Sequence, residues 1–267
     1  MCRLFAYVAP QASTVDRELG MRGLDSFISL AQVHGDGWGW AGVTEIGDGP
    51  SVHKSVESAA KDPGFGTALS VASRAAMVHL RWATAGMDIE EENTHPFLVD
   101  GISFEHNGSL KPVERVQEML SPDSLANMQG GTDSEMYFAF VREKLATGLD
   151  VPAATLAAAS ELRQAFPVSS LNAILLTSDY LIVVHANALS TLAEEDVTEI
   201  MQFDLPDEHA DDYFALRWLR KPDGTILIGS TGVAGPDWAP LPAESVTTID
   251  LAHGTATTVQ LQLLLAS

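Results

Sequence analysis

Apolar side chains in this sequence gather into short runs closed by Gly, Asp, Asn or Pro, with the length and residue types of strands. The runs predict strands at 4–9, 37–44, 75–82, 102–106, 171–177, 181–185, 215–220, 225–230 and 246–250. Asp179-Tyr180 and the stronger Lys221-Pro222-Asp223-Gly224 read as hairpin tips between neighbouring strands. Helical spacing occupies 25–32, 66–73, 112–120, 133–146 and the alanine-rich 151–165. Thr132-Asp133-Ser134-Glu135 has the form of a capping box, with Thr132 as cap and Glu135 reaching back. Strands outnumber helices and are flanked by runs of helix, so the pattern predicts an α+β fold of sheets covered by helical layers, not an alternating βαβ array. No repeat or Pro/Ser-rich linker divides the chain, and one domain over 1–267 is expected.

With 267 residues, 46% hydrophobic and 19% charged, the chain has the composition of a folded globular protein. A net charge of -21 without any Lys/Arg cluster argues against nucleic acid as a partner. No apolar run approaches the roughly 20 residues needed to span a bilayer. The short opening apolar stretch has no basic region before it, so no signal peptide is expected and a cytoplasmic location follows as the default. The single cysteine precludes an intrachain disulfide, in keeping with a reducing compartment. Glu90-Glu91-Glu92 reads as solvated loop surface.

That one cysteine is Cys2, directly behind Met1. Removal of Met1, which aminopeptidases perform when the next side chain is small, would leave a thiol and a free α-amine on one carbon. An α-amine titrates at about 7.7–8.0 and a thiol at about 8.5, so near neutrality the amine can accept the thiol proton. Five further stretches gather polar or charged residues, three of them with glycine: Gly35-Asp36-Gly37-Trp38-Gly39, His79-Leu80-Arg81-Trp82-Ala83-Thr84, Asn93-Thr94-His95-Pro96-Phe97, His106-Asn107-Gly108-Ser109-Leu110 and Gly130-Gly131-Thr132-Asp133-Ser134-Glu135. Each has a plain reading on its own. Asn107-Gly108 is a hairpin turn signal, Arg81 can pair with a surface carboxylate, Asp133 suits a first helical turn, and His95 can be a loop residue. His34, Asp36, His79, His95 and His106 are metal-ligand types, yet no HExxH or paired-cysteine spacing occurs, and the glycine stretches lack nucleotide-loop spacing. No metal and no cofactor is expected.

Taken together, in this order and behind Cys2, these stretches resemble the glutaminase domain of class II glutamine amidotransferases, members of the N-terminal nucleophile hydrolases. The resemblance covers mainly residues 1–140. It implies a four-layer αββα sandwich of two mainly antiparallel sheets. It implies that Cys2 attacks the side-chain amide of glutamine or another γ-glutamyl compound to form a thioester, with its α-amine moving the proton. Asn107 and the Gly108 N–H would stabilise the oxyanion, Gly108 lacking a side chain so that its backbone can approach the substrate. Arg81 would grip the α-carboxylate and Asp133 the α-ammonium, while Trp82 and His95 would lie close to the pocket as scaffolding. Ala85 to Asn93 corresponds to a loop that closes over glutamine. Asp36-Gly37-Trp38-Gly39 is closer to stand-alone members, including those similar to the γ-glutamyl hydrolase of ergothioneine biosynthesis. Trp38 and Trp40 read first as core residues, with a contact to a cationic leaving group near the acidic loop as the alternative. The alternatives are a glutaminase subunit supplying ammonia to a separate synthase partner, and a catalytically silent binding module. Residues 141–267 show no chemical motif and are expected to complete both sheets.

Overall fold

The computed structural model describes residues 2–83, 87–203, 205, 209, 212–233 and 237–262. Along these the chain forms β1 (Cys2–Ser13), α1 (Val15–Leu30), β2 (Trp38–Val43), β3 (Ser51–Ser55), α2 (Pro63–Leu69), β4 (Ser73–Arg81), β5 (Phe97–Val99), β6 (Ile102–Asn107), α3 (Val113–Glu118) and α4 (Pro122–Ala126). It continues through α5 (Asp133–Ala146), α6 (Val151–Ala165), β7 (Asn172–Leu176), β8 (Tyr180–His185), α7 (Glu194–Ile200), β9 (Leu216–Arg220), β10 (Ile226–Ser230), β11 (Ala239–Pro240), β12 (Ser245–Asp250) and β13 (Ala256–Gln260). The strands build two sheets, ordered β11-β9-β10-β1-β4-β2-β3 and β13-β12-β8-β7-β6-β5, and every ladder is antiparallel.

Strand alternation sorts the side chains into three apolar layers. Leu4, Ala6 and Val8 of β1 meet Met77, Ile174, Val183 and Ile228 between the sheets. The opposite face of β1, with Phe5 and Tyr7, packs on Phe27 and Phe65 beneath α1 and α2. On the far side Phe104 and Leu175 of the second sheet pack on Tyr137, Phe138 and Leu162 of α5 and α6. The result is the expected four-layer αββα arrangement. Because β1 lies mid-sheet with both faces covered, its first eight residues are all buried, which is why Leu4 to Ala9 read as an unbroken apolar run.

All nine predicted strands and five predicted helices are present, helices 133–146 and 151–165 with the expected ends and the others with shifted ones. Helix α1 begins ten residues before the predicted start at 25, because it is broken at Gly20 (φ 66°) and its first half lacks an apolar stripe. Helix α2 begins earlier, on an Asp62 cap whose carboxylate accepts from the Gly64 N–H, and Ser73 belongs to β4. The pattern missed β3, β5, β11 and β13, which are sheet-edge strands, and the short helices α4 and α7. Edge strands bury little and carry polar residues, as in Ser-Val-His-Lys-Ser of β3, so alternation is weak there.

Candidate active site

Strands β1 and β4 pair so that Cys2 stands opposite Arg81 and Leu4 opposite His79. Cys2, His79 and Arg81 therefore share the sheet face that carries Leu4 and Met77, looking towards the second sheet. From that second sheet, β6 ends in Asn107. The Cys2 backbone nitrogen donates to Asn107 Oδ1 at 2.8 Å, and Asn107 Nδ2 is buried with no hydrogen-bond partner among the described residues. Cys2, Arg81, Trp82, His95, Gly108 and Asp133 line one small cavity of about 30 Å³. Of the seven residues singled out in the sequence, six face this cavity and the seventh, Asn107, holds the cysteine.

Arg81 is 3% exposed and its guanidinium donates to the Asp36 carbonyl at 3.3 Å and the Asp88 carbonyl at 3.1 Å. Among the described residues no carboxylate lies within ion-pair distance of it, which removes the surface-pair reading. Asp36 also accepts from the Ala83 N–H at 2.8 Å, and the 36–37 backbone pairs with that of Arg81. The Gly35–Gly39 stretch thus fixes the end of β4. Of the expected 85–93 loop, Ala85 and Gly86 lie outside the described residues. Met87 lines the cavity, Asn93 bonds to Asp88, Glu90 and Gly131, and the three glutamates are exposed.

Asp133 opens α5. Thr132 caps the helix, its hydroxyl accepting from the Glu135 N–H at 3.0 Å. The other half of the predicted box differs: the Glu135 carboxylate passes Thr132 and accepts from the Gln129 and Gly130 N–H groups at 2.7 and 2.8 Å. It ties down the preceding loop instead. Asp133 Oδ2 accepts from the Leu110 N–H at 2.6 Å, and Ser134 Oγ meets His106 Nδ1 at 2.9 Å, so the helix start is stitched to the segment after β6. Asn107-Gly108 is accordingly no hairpin tip. The reason for glycine also differs from expectation: a Cβ at 108 would lie 2.0 Å from the Ser170 carbonyl oxygen. Gly39 plays a similar part, since a Cβ there would sit 2.0 Å from the His95 carbonyl oxygen.

Electrostatics favour a reactive sulfur. Burial pushes the Cys2 thiol up, but the positive charges of His79 and of the chain's amino terminus, helped by the backbone N–H of Trp82, outweigh burial and bring the thiol down to about 6. His95 is held well below its ordinary value by burial, with the charges of His79 and Arg81 acting in the same direction, so it is neutral. Its ring lies 4.4 Å from that of His79 and 4.6 Å from Phe97, and neither nitrogen has a partner. Burial also keeps Glu105 well above the carboxylate range, and both of its oxygens are unpartnered.

Trp38 and Trp40 do not reach the cavity. Trp38 packs edge-on against Phe65 and donates to Asp62, and both indoles belong to the core beneath the helices, which removes them as a leaving-group contact. Sequence reasoning listed His79 only as a metal-ligand type, although its place two residues before Arg81 on one strand puts it on the same face. It also missed Arg3 and Tyr213, which donate to the Cys2 carbonyl at 2.7 and 3.4 Å. Tyr213 lies in an irregular segment with no readable pattern. Among the described residues no group of three His, Cys, Asp or Glu could hold a metal ion, and no helix is long and apolar enough to cross a membrane. A larger groove of about 620 Å³ beside β5, α4 and α5 contains none of Cys2, Arg81 and Asp133, so chemistry and not volume identifies the site.

Residues 1–198 match the family described as glutamine amidotransferases class-II. A 60-residue stretch is 38% identical to glutamine–fructose-6-phosphate aminotransferase (isomerizing) of Agrobacterium fabrum, covering 22% of this chain and 10% of that protein. Among solved structures, a glutamine aminotransferase class-II domain protein from Silicibacter pomeroyi aligns with a TM-score of 0.62 at 16% identity, over 97% of this chain and 99% of its own. The glutamine phosphoribosylpyrophosphate amidotransferase of B. subtilis aligns with a TM-score of 0.66 at 14% identity, over 98% of this chain and 50% of its own. At these identities the structural likeness speaks for the fold.

Proposed function

Since this chain belongs to the class-II glutamine amidotransferases, we propose that it cleaves the side-chain amide of glutamine or another γ-glutamyl compound through a thioester on Cys2. The observation that carries the reading is the meeting of Cys2, Arg81 and Asp133 in one cavity, with the cysteine nitrogen on Asn107 Oδ1. A glutamyl head group bears one carboxylate and one ammonium. Arg81 binds the first through the donors left over from its two backbone bonds, and Asp133 binds the second.

In this reading Met1 is removed and the Cys2 thiolate adds to the amide carbon. The new oxyanion takes the Asn107 Nδ2 donor, which lacks any other partner, together with the Gly108 N–H. The Cys2 α-ammonium, formed by taking the thiol proton, returns it to the departing nitrogen. Ammonia or an amine leaves, water adds to the thioester, and the γ-carboxylate and the thiol are restored. His95, neutral and packed between rings, shapes the pocket without moving protons. The cavity is small, about 30 Å³, and the 87–93 stretch, whose Met87 lines it, is the part proposed to open for the substrate.

We assign the protein to free-standing hydrolysis of a γ-glutamyl amide as one domain. Intact mass gives the first test by reporting loss of Met1. The trimmed protein is then expected to release ammonia or an amine from a panel of γ-glutamyl amides and to be labelled by a diazoketone analogue of glutamine, with both lost in Cys2→Ala. A trimmed, folded protein that neither labels nor turns over any donor would point to a silent binding module. Turnover only on addition of a synthase would point to a glutaminase subunit.

A further inference from the structure

Arg3 is fully buried, and among the described residues no carboxylate lies within ion-pair distance of its guanidinium. Neutral oxygens hold it instead. Its Nη1 donates to the Thr231 carbonyl at 3.3 Å and hydroxyl at 3.1 Å, and its Nη2 to the Tyr213 carbonyl at 3.0 Å. The guanidinium carbon stands 3.6 Å from the centre of the Tyr213 ring. The remaining donor, Nε, meets the Cys2 carbonyl at 2.7 Å, and the Tyr213 hydroxyl donates to the same oxygen at 3.4 Å. A buried cation without a counter-ion is costly to keep, and a guanidinium does not shed its charge near neutrality. The geometry spends all of this on one carbonyl, that of the nucleophilic residue.

We propose that Arg3, braced by Tyr213, is a positioning residue that fixes the Cys2 peptide plane and, through its uncompensated charge, keeps the α-amine of the trimmed chain in the proton-accepting form. The proposal rests on the reading of Cys2 as an N-terminal nucleophile. Covalent geometry puts the nitrogen and carbonyl oxygen of one residue within about 3.6 Å, so the cation sits roughly 5–6 Å from the α-nitrogen. A like charge at that range disfavours a second positive charge. The other groups near this nitrogen are few. His79 and Arg81 on β4 add positive charge, Glu105 and His106 on β6 are driven towards their neutral forms by burial, and Asp133 of α5 is the carboxylate across the cavity. Arg3 is the member of this set whose charged donor meets the Cys2 backbone carbonyl.

The sole cysteine makes the test direct, since alkylation by iodoacetamide reports on one sulfur without turnover. Loss of a nearby cation raises the pKa of both thiol and amine. Arg3→Gln is therefore expected to move the alkylation midpoint, and the acid limb of kcat/KM, upward by about one pH unit while KM stays within about threefold. Arg3→Lys, which keeps the charge, is expected to move the midpoint by less than about 0.3 unit. Thr231→Asp supplies a counter-ion in place while retaining the guanidinium, so it gives the same upward shift and serves if Arg3→Gln does not fold. A folded Arg3→Gln or Thr231→Asp protein with an unmoved midpoint overturns the proposal. A wild type that shows these shifts on mutation yet hydrolyses no γ-glutamyl amide overturns the proposed function and leaves the role of Arg3 in place.

Discussion

Asn107 meets Cys2 with its oxygen and leaves its nitrogen uncommitted: Oδ1 accepts from the cysteine backbone at 2.8 Å, while Nδ2 is buried without a partner. An unpartnered buried donor beside a nucleophile suits a charge that exists only during reaction. Asn107→Asp keeps an acceptor for the Cys2 nitrogen and removes the donor. Its kcat for glutamine hydrolysis is expected to fall by about 10²- to 10³-fold with KM little changed. Steady-state ammonia release measures this, and an unaltered kcat would remove Asn107 from the oxyanion site.

Arg81 and Asp133 are expected to act on binding. Asp133→Asn retains an oxygen for the Leu110 N–H and removes the charge, so the fold should persist while KM for glutamine rises by roughly 10- to 100-fold. Arg81→Lys should behave similarly, because a point charge cannot reproduce the fork. A γ-glutamyl compound lacking its α-amine should lose affinity for the wild type and not for Asp133→Asn. Equal losses in both would place Asp133 in a structural role alone.

The thiol lowered to about 6 sets a pH dependence. Above that pH the sulfur is ionised, roughly nine-tenths of it at pH 7, and each unit below costs about tenfold in thiolate. Iodoacetamide alkylation followed by mass should show its midpoint near 6. Because the positive charge of His79 leads the lowering, His79→Gln should move the midpoint upward, and a midpoint in the ordinary thiol range for the wild type would contradict this account.

Two glycines let neighbouring backbone segments of the site come close together by having no side chain. Gly39→Ala and Gly108→Ala each aim a methyl at a backbone carbonyl 2.0 Å away, and both should destabilise the protein by about 1–3 kcal/mol in denaturant unfolding. Gly66→Ala is the contrast. It lies inside α2 with open space around its Cβ position, and should stabilise by about 0.5–1 kcal/mol. Indistinguishable unfolding midpoints for all three would refute the packing argument.

The sequence made the centre of the fold more legible than its margins. Central strands such as β1 and β4 are covered on both faces and announce themselves as apolar runs, whereas β3 and β13 lie at sheet edges and carry little pattern. Cys2 stood out as the one cysteine behind Met1, Arg81 as a charge ending an apolar strand, Asn107 beside glycine and Asp133 beside a helix cap. Tyr213 comes to Cys2 and Thr231 to Arg3 from more than 200 residues away, beside β9 and β10, a proximity fixed by sheet order and invisible to local pattern. Glu135 shows the limit of motif reading: its spacing gave the cap, but which N–H groups its carboxylate would choose depended on the path of the loop before it.

The direct pairing of Cys2 with Arg81 makes the ladder between β1 and β4 a ruler. Cross-strand spacing, not loop conformation, sets how far the sulfur lies from the cation opposite. Slipping β1 by a single position would turn the sulfur to the helix-covered side and present Arg3 in its stead. Insertions or deletions between Cys2 and Val8 should therefore abolish reactivity outright instead of grading it, whereas changes of length in the bulged stretch from Val8 to Ser13 can be absorbed before they reach the working end.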